Sequence, residues 1–251
     1  MKRGALLLTT IAGLAVFLVV LALYLPASWF ASALPPQARC ADLGGSVWHG
    51  ECLGLTVQNN RLGDATWNFG AGAAALGGKL NGDIDVRGGA LSARADVATS
   101  FGGVGELRNV VARFPLDPAF IADLPADKRG NISIDLQRVV IGAARDLRQV
   151  EGTLDLTDLR QVGAQPLELG SYRLTFDGAA QPDGTVVGKL RDTGGPFAID
   201  GTLTLTPPAT YLVSGFITGR TAQAESLVRE IALGALPDAS GRTTFSFEGS
   251  L

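Results

Sequence analysis

The chain has one histidine, one methionine and two cysteines in 251 residues. Each scarcity removes a class of chemistry. Ser-His or Cys-His machinery would have to run through His49, which stands between Trp48 and Gly50. No carboxylate lies at a spacing that would orient it. The nucleophile elbow G-x-S-x-G is missing, since Ser46 sits in Gly45-Ser46-Val47-Trp48. Two cysteines and one histidine supply too few ligands, at the wrong spacing, for a structural metal centre. Charge is also sparse: 21 basic against 24 acidic residues, net −3. There is no arginine-rich run and no interleaving of aromatic with basic residues, so nucleic acid is excluded as a partner. No catalytic residue, no metal and no cofactor is expected.

Two weak motifs need weighing. Gly70-Ala71-Gly72-Ala73-Ala74-Ala75 matches a dinucleotide-loop pattern. Gly77-Gly78 breaks the helix such a loop must open, so it reads as a bend. Asp83 and Asp85 share one face of a strand, as an acid/base pair would. Aspartates at alternate positions are more simply the wet face of that strand.

One long apolar run is present. Gly4–Leu25 reads GALLLTTIAGLAVFLVVLALYL, without a charge. As a helix it would span about 33 Å at ~1.5 Å per residue, against a hydrocarbon core of about 30 Å. Lys2 and Arg3 precede it and no basic residue follows before Arg39. That bias keeps residues 1–3 in the cytoplasm and sends the remainder across the membrane. A cleaved signal is the rival reading, with Ala31-Ser32-Ala33 as its site. Run length favours a retained anchor. The expected division is a cytoplasmic tip at 1–3, a transmembrane helix at 4–25, a linker at 26–44 and an exported domain at 45–251. In an oxidising compartment Cys40 and Cys52 are a disulfide candidate, with two separate buried thiols as the alternative.

Glycine is abundant, at 33 residues, while apolar content stays at 46%. From Gly45 onward short segments alternate apolar with polar residues. Ile132, Ile134 and Leu136 oppose Ser133 and Asp135, and Leu154 and Leu156 oppose Thr153 and Asp155. Leu203 and Leu205 oppose Thr202 and Thr204. Alternation bounded by Gly, Pro and Asp predicts half-buried strands, and the joints are too short for parallel crossovers. The expected fold is mainly β: a long, strongly curved antiparallel sheet, as a trough or a sandwich. Two short helices are predicted, after Asp117-Pro118 and over Ala222–Leu233. In a trough, Ile132, Ile134, Leu154, Leu156, Leu203 and Leu205 would line the apolar side. Trp48 and Trp67 are core anchors or, as exposed aromatics, partner contacts.

The blocks also occur in a familiar order. Leu25-Pro26-Ala27-Ser28-Trp29 is followed by Gly45-Ser46-Val47-Trp48-His49-Gly50 and Leu62-Gly63-Asp64-Ala65-Thr66-Trp67. Asp192-Thr193-Gly194-Gly195-Pro196-Phe197 and Leu236-Pro237-Asp238 come later. Over nearly its whole length the chain resembles the type II secretion system protein N family. That resemblance implies a single-pass inner-membrane protein of Gram-negative bacteria with a periplasmic β domain. It implies a non-catalytic accessory role and contacts with the inner-membrane platform or the secretin. The texture is also similar to AsmA-type periplasmic proteins, which implies an apolar trough able to hold lipid. The cysteine pair departs from the common pattern of the secretion family, so no disulfide is carried over from it.

Overall fold

The computed structural model describes residues 38–57, 60–70, 79–100, 102–118, 121, 124–143, 146–163, 166–207, 210–231 and 237–250. Residues 14, 17, 20, 21 and 24–29 are described as well. Most of the predicted anchor, the Ala31–Ala33 segment, the 71–78 loop and the end of the predicted second helix lie outside the described residues.

A single antiparallel sheet makes up the body. It begins with β1 (Ala38–Arg39), β2 (Asp42–Gly45), β3 (His49–Val57) and β4 (Asn60–Phe69). It continues through β5 (Lys79–Gly88), β6 (Leu91–Ser100), β7 (Gly105–Leu116), β8 (Lys128–Ile141) and β9 (Leu147–Gln161). It ends with β10 (Leu167–Ala179), β11 (Val186–Gly194), β12 (Phe197–Thr206), β13 (Thr210–Gly219) and β14 (Thr243–Ser250). From β3 to β14 each strand pairs with the next in sequence, a pure meander. β1 and β2 both pair with β3, and the first and last strands do not meet.

The joints explain the meander. At β5–β6 Gly88 pairs with Leu91, leaving Gly89 and Ala90 as the turn, and Gly89 takes φ 54°. A two-residue turn needs that left-handed conformation to match strand twist. Between β10 and β11, Gly184 N–H donates to Gln181 O at 2.8 Å and Thr185 N–H to Asp183 Oδ1 at 2.9 Å.

Register sorts the side chains into two faces. One row runs Cys52, Ala65, Val86, Ala93, Ala112, Ile134, Leu154, Leu174, Leu190, Gly201, Gly215, Phe245, one residue from each strand of β3–β14. Every member is apolar or glycine. The row beside it, on the opposite face, runs Thr66, Asp85, Arg94, Val111, Asp135, Thr153, Thr175, Lys189, Thr202, Ser214, Ser246. Only Val111 there is apolar. Side chains alternate across a strand, so the period-two pattern of each segment adds up to one apolar and one polar face.

The sheet starts at Ala38 rather than at 45, because β1 and β2 inside the expected linker pair with β3. Of the two predicted helices, the second is present as α1 (Ala222–Ile231). After Asp117 the described residues make one turn, closed by Ile121 N–H to Asp117 O at 3.0 Å. Residues 119, 120, 122 and 123 of that segment lie outside the description. Finally, no helix among the described residues is long and apolar enough to cross a membrane. Leu14, Phe17, Val20 and Leu21 are helical, but their neighbours are not described.

Candidate functional site

The apolar face is the feature that sets this sheet apart, because among the described residues no second sheet lies over it. At about 4.8 Å per strand it runs some 50 Å from β3 to β14. Its centre is nevertheless well buried. Val139, Val150, Phe176 and Val186 are 8%, 5%, 7% and 2% exposed. With no second sheet over it among the described residues, such burial is met by side chains of one face converging on each other, so that face is concave. The backbone agrees. Cα atoms of β9 and β11, which are not neighbours in the sheet, come within 8 Å of each other. In a flat sheet strands two apart lie about 9.6 Å away. The bend is sharpest at β9–β12.

Along this face, rings cover bare glycines on neighbouring strands. Phe176 pairs with Gly188, and a Cβ on Gly188 would fall 2.8 Å from Phe176 Cε1. The ring therefore lies where a side chain would stand. Trp67 lies across Gly50, Phe69 across Gly82 and Tyr211 across Gly249 in the same way. In each pair the aromatic covers its bare cross-strand partner, a packing that holds strands together where glycine alone would weaken them.

Helix α1 closes one end of the concave face. Ala224 and Val228 are buried against Phe197, with Leu169, Ile199, Ile217 and Leu227 around them. Thr221 caps the helix, its Oγ1 accepting Ala224 N–H at 3.2 Å. Close by, the face becomes polar. Asp192 accepts from Arg220 at 2.7 Å and from Ile199 N–H at 3.0 Å. Tyr172, opposite Asp192 in the register, donates its hydroxyl to Leu169 O. Burial first, and then the Asp192 charge, push the Tyr172 phenol up to about 12 against the opposing pull of Arg220.

The other end is tied to the N-terminal segment. Val47 N–H donates to Leu25 O at 3.0 Å, and Pro26 bridges Ser46. Trp67 Nε1–H donates to Ser46 O at 3.2 Å and Val47 O at 3.0 Å. Cys40 and Cys52 are bridged, with Cα atoms 5.4 Å apart, which pins the β1–β2 junction to β3.

The polar face carries ion pairs. Glu106 meets Arg108 and Arg138, each at 2.7 Å. The hydrogen bond from Arg108 leads in holding the Glu106 carboxyl below its ordinary range. Arg173 reaches Asp155 through two contacts, at 2.6 and 3.2 Å. These exposed pairs contribute little individually.

The register puts Ile134, Leu154, Ile132 and Leu156 on the concave face through the Ile134–Leu154 and Ile132–Leu156 pairs. Leu203 joins them through Gly188, and Leu205 through Val186. All six are half-buried. Trp67 is committed to Gly50 and the Ser46–Val47 carbonyls, while Trp48 is half-buried and its carbonyl accepts Phe69 N–H at 2.6 Å. Sequence reasoning passed over the tightest part of the face, around Val139, Val150, Leu174, Phe176 and Val186. Leu174 and Phe176 did alternate with Arg173 and Thr175, a signal that could have found them. Among the described residues no three of His, Cys, Asp and Glu gather closely enough to hold a metal ion.

The described residues form a single meandering sheet with one apolar face. Residues 21–246 match the sequence model of the family described as type II secretion system (T2SS), protein N. The chain belongs to that family, and so to the accessory components of that secretion system. No curated protein and no solved structure matches it.

Proposed function

We propose that this chain is a non-catalytic accessory component tethered in the inner membrane by residues 4–25, whose periplasmic β domain touches other platform or secretin components. One observation carries the reading: the concave apolar face has no second sheet over it among the described residues. Around its buried centre, residues such as Leu154 and Leu203 are half-buried, and contiguous apolar patches left partly open to water mark interaction sites. Within a secretion platform the cover is a segment of another component. Trp48 adds a contact at the anchored end. The test is photo-crosslinking from Leu154 and Leu203 on the concave face, with Thr153 and Thr202 on the polar face as controls. Protein adducts from the first pair alone support the reading. Adducts from neither pair, or equally from both, count against it.

A second reading keeps the tether and fills the face with acyl chains, as in an AsmA-like lipid handler. The bond from Val47 N–H to Leu25 O and the β-bridge between Pro26 and Ser46 favour it, because they hold one end of the face beside the end of the apolar run. Native mass spectra of gently extracted protein test it. Bound phospholipid that disappears in Leu154→Asp supports lipid, whereas lipid-free spectra sink it.

A further inference from the structure

We propose that β14 pairs with β14 of a second copy of this chain, antiparallel and centred on Ser246. The two edges of the sheet are treated differently. At one edge β3 is flanked by β1 and β2, pinned by the Cys40–Cys52 bridge and backed by the Pro26–Ser46 contact. At the other, β14 pairs with β13 alone among the described residues. Edge strands are ordinarily blunted by lysine, proline, a bulge or extreme shortness. Thr243–Ser250 contains neither lysine nor proline, and its register with β13 runs from Thr243 to Ser250 without a shift. Its partner-facing edge is regular, and Phe247 is 57% exposed.

The strand is complementary to itself. With Ser246 opposite Ser246 of the second copy, Phe245 faces the second Phe247, and Phe247 the second Phe245. Both lie on the concave side, where the two rings of one copy already stand 5.9 Å apart. Four rings then form one cluster, and aromatic cross-strand pairs are favourable. Charge agrees with this register. Glu248 is the one charged residue of β14. It faces Thr244 of the second copy, so like charges stay apart. Its diagonal neighbour is Arg242 of the second copy, within reach of a long side chain. Arg242 now binds Asp238 at 2.8 Å and lies 4.3 Å over the Phe216 ring, with guanidinium donors to spare. Shifting the centre by one residue either way places Phe245 or Phe247 against its own image and breaks the Phe245–Phe247 match. The pairing is isologous, so it closes at two copies, and the concave faces join end to end.

The inference does not depend on what fills that face, and its test is separate. Full-length protein in mild detergent carries one added cysteine at a time; the two native cysteines are already bridged. Opposite residues in an antiparallel pair have Cα atoms about 4.5–5.5 Å apart, within disulfide range. Ser246→Cys is expected to give a disulfide-linked dimer on oxidation, whereas Thr244→Cys and Glu248→Cys each give no covalent dimer alone. A mixture of those two is expected to cross-link. Phe247→Asp should abolish the dimer in sedimentation while the far-ultraviolet circular dichroism is unchanged. A monomeric Ser246→Cys sample overturns the proposal. So does cross-linking equally strong from Ser214→Cys, on the polar face of β13.

Discussion

The indole of Trp67 occupies the space above Gly50 on the adjacent strand: a Cβ added to Gly50 would stand 2.3 Å from Trp67 Cζ2. The same ring holds Val47 O, while Val47 N–H holds Leu25 O. Ring, turn and N-terminal segment are thus one connected unit. Gly50→Val should displace the indole and cost about 1–3 kcal/mol through overpacking. Trp67→Phe keeps most of the ring but drops both hydrogen bonds, and should cost about 1–2 kcal/mol. Thermal melts of the two variants check this. A Gly50→Val protein as stable as wild type would show that the ring is not seated there.

Leu174 and Thr175 are sequence neighbours on opposite faces, so they offer a test of the two-faced sheet. Leu174 is 9% exposed and packs in the concave core. Leu174→Glu places a charge there without a partner, and should cost about 3 kcal/mol or more. Thr175 stands opposite Lys189 on the polar face. Thr175→Glu should change stability by no more than about 0.5 kcal/mol. Denaturant titration of both variants reads the contrast, and comparable losses would refute the face assignment.

The Cys40–Cys52 bridge spans a sequence separation of 12. A loop of that size gives about 2–3 kcal/mol by restricting the unfolded chain. Cys40→Ser is the cleaner variant, since Cys40 is half-buried whereas Cys52 is 3% exposed. Its melting midpoint should fall, and added reductant should move wild type towards it but leave the variant unmoved.

Tyr172 predicts an alkaline transition. Its phenol is pushed up to about 12 in the fold, against about 10 in an unfolded chain. A raised pKa means the folded state favours the protonated form. That contribution is complete below about pH 10 and is lost as pH rises towards 12. Near-ultraviolet titration should show one late-ionising tyrosine, absent in Tyr172→Phe. The variant should also lose less stability than wild type across that interval. A wild-type titration curve that Tyr172→Phe leaves unchanged at its late end would remove the cause.

Much of this molecule is written in local pattern. Period-two alternation in segments such as Asn131–Leu136 and Thr202–Leu205 specifies strands, because only an extended chain sends successive side chains to opposite sides. Short Gly- and Asp-rich joints specify antiparallel neighbours, since a parallel return needs a longer crossing. Those two facts dictate a β meander with one greasy side, and the order of its blocks points to the family. What no segment could reveal is how that greasy side is treated. Alternation is the same whether a second sheet covers it or the sheet bends over itself. The outcome rests on contacts between strands distant in sequence, such as Phe176 over Gly188 and Leu154 beside Leu174. Tertiary structure also decided that β1 and β2 guard one edge while β14 is left with a single partner among the described residues. Hydrogen-bonding partners are a property of assembled strands, and a strand's own residues cannot say which neighbour it lacks.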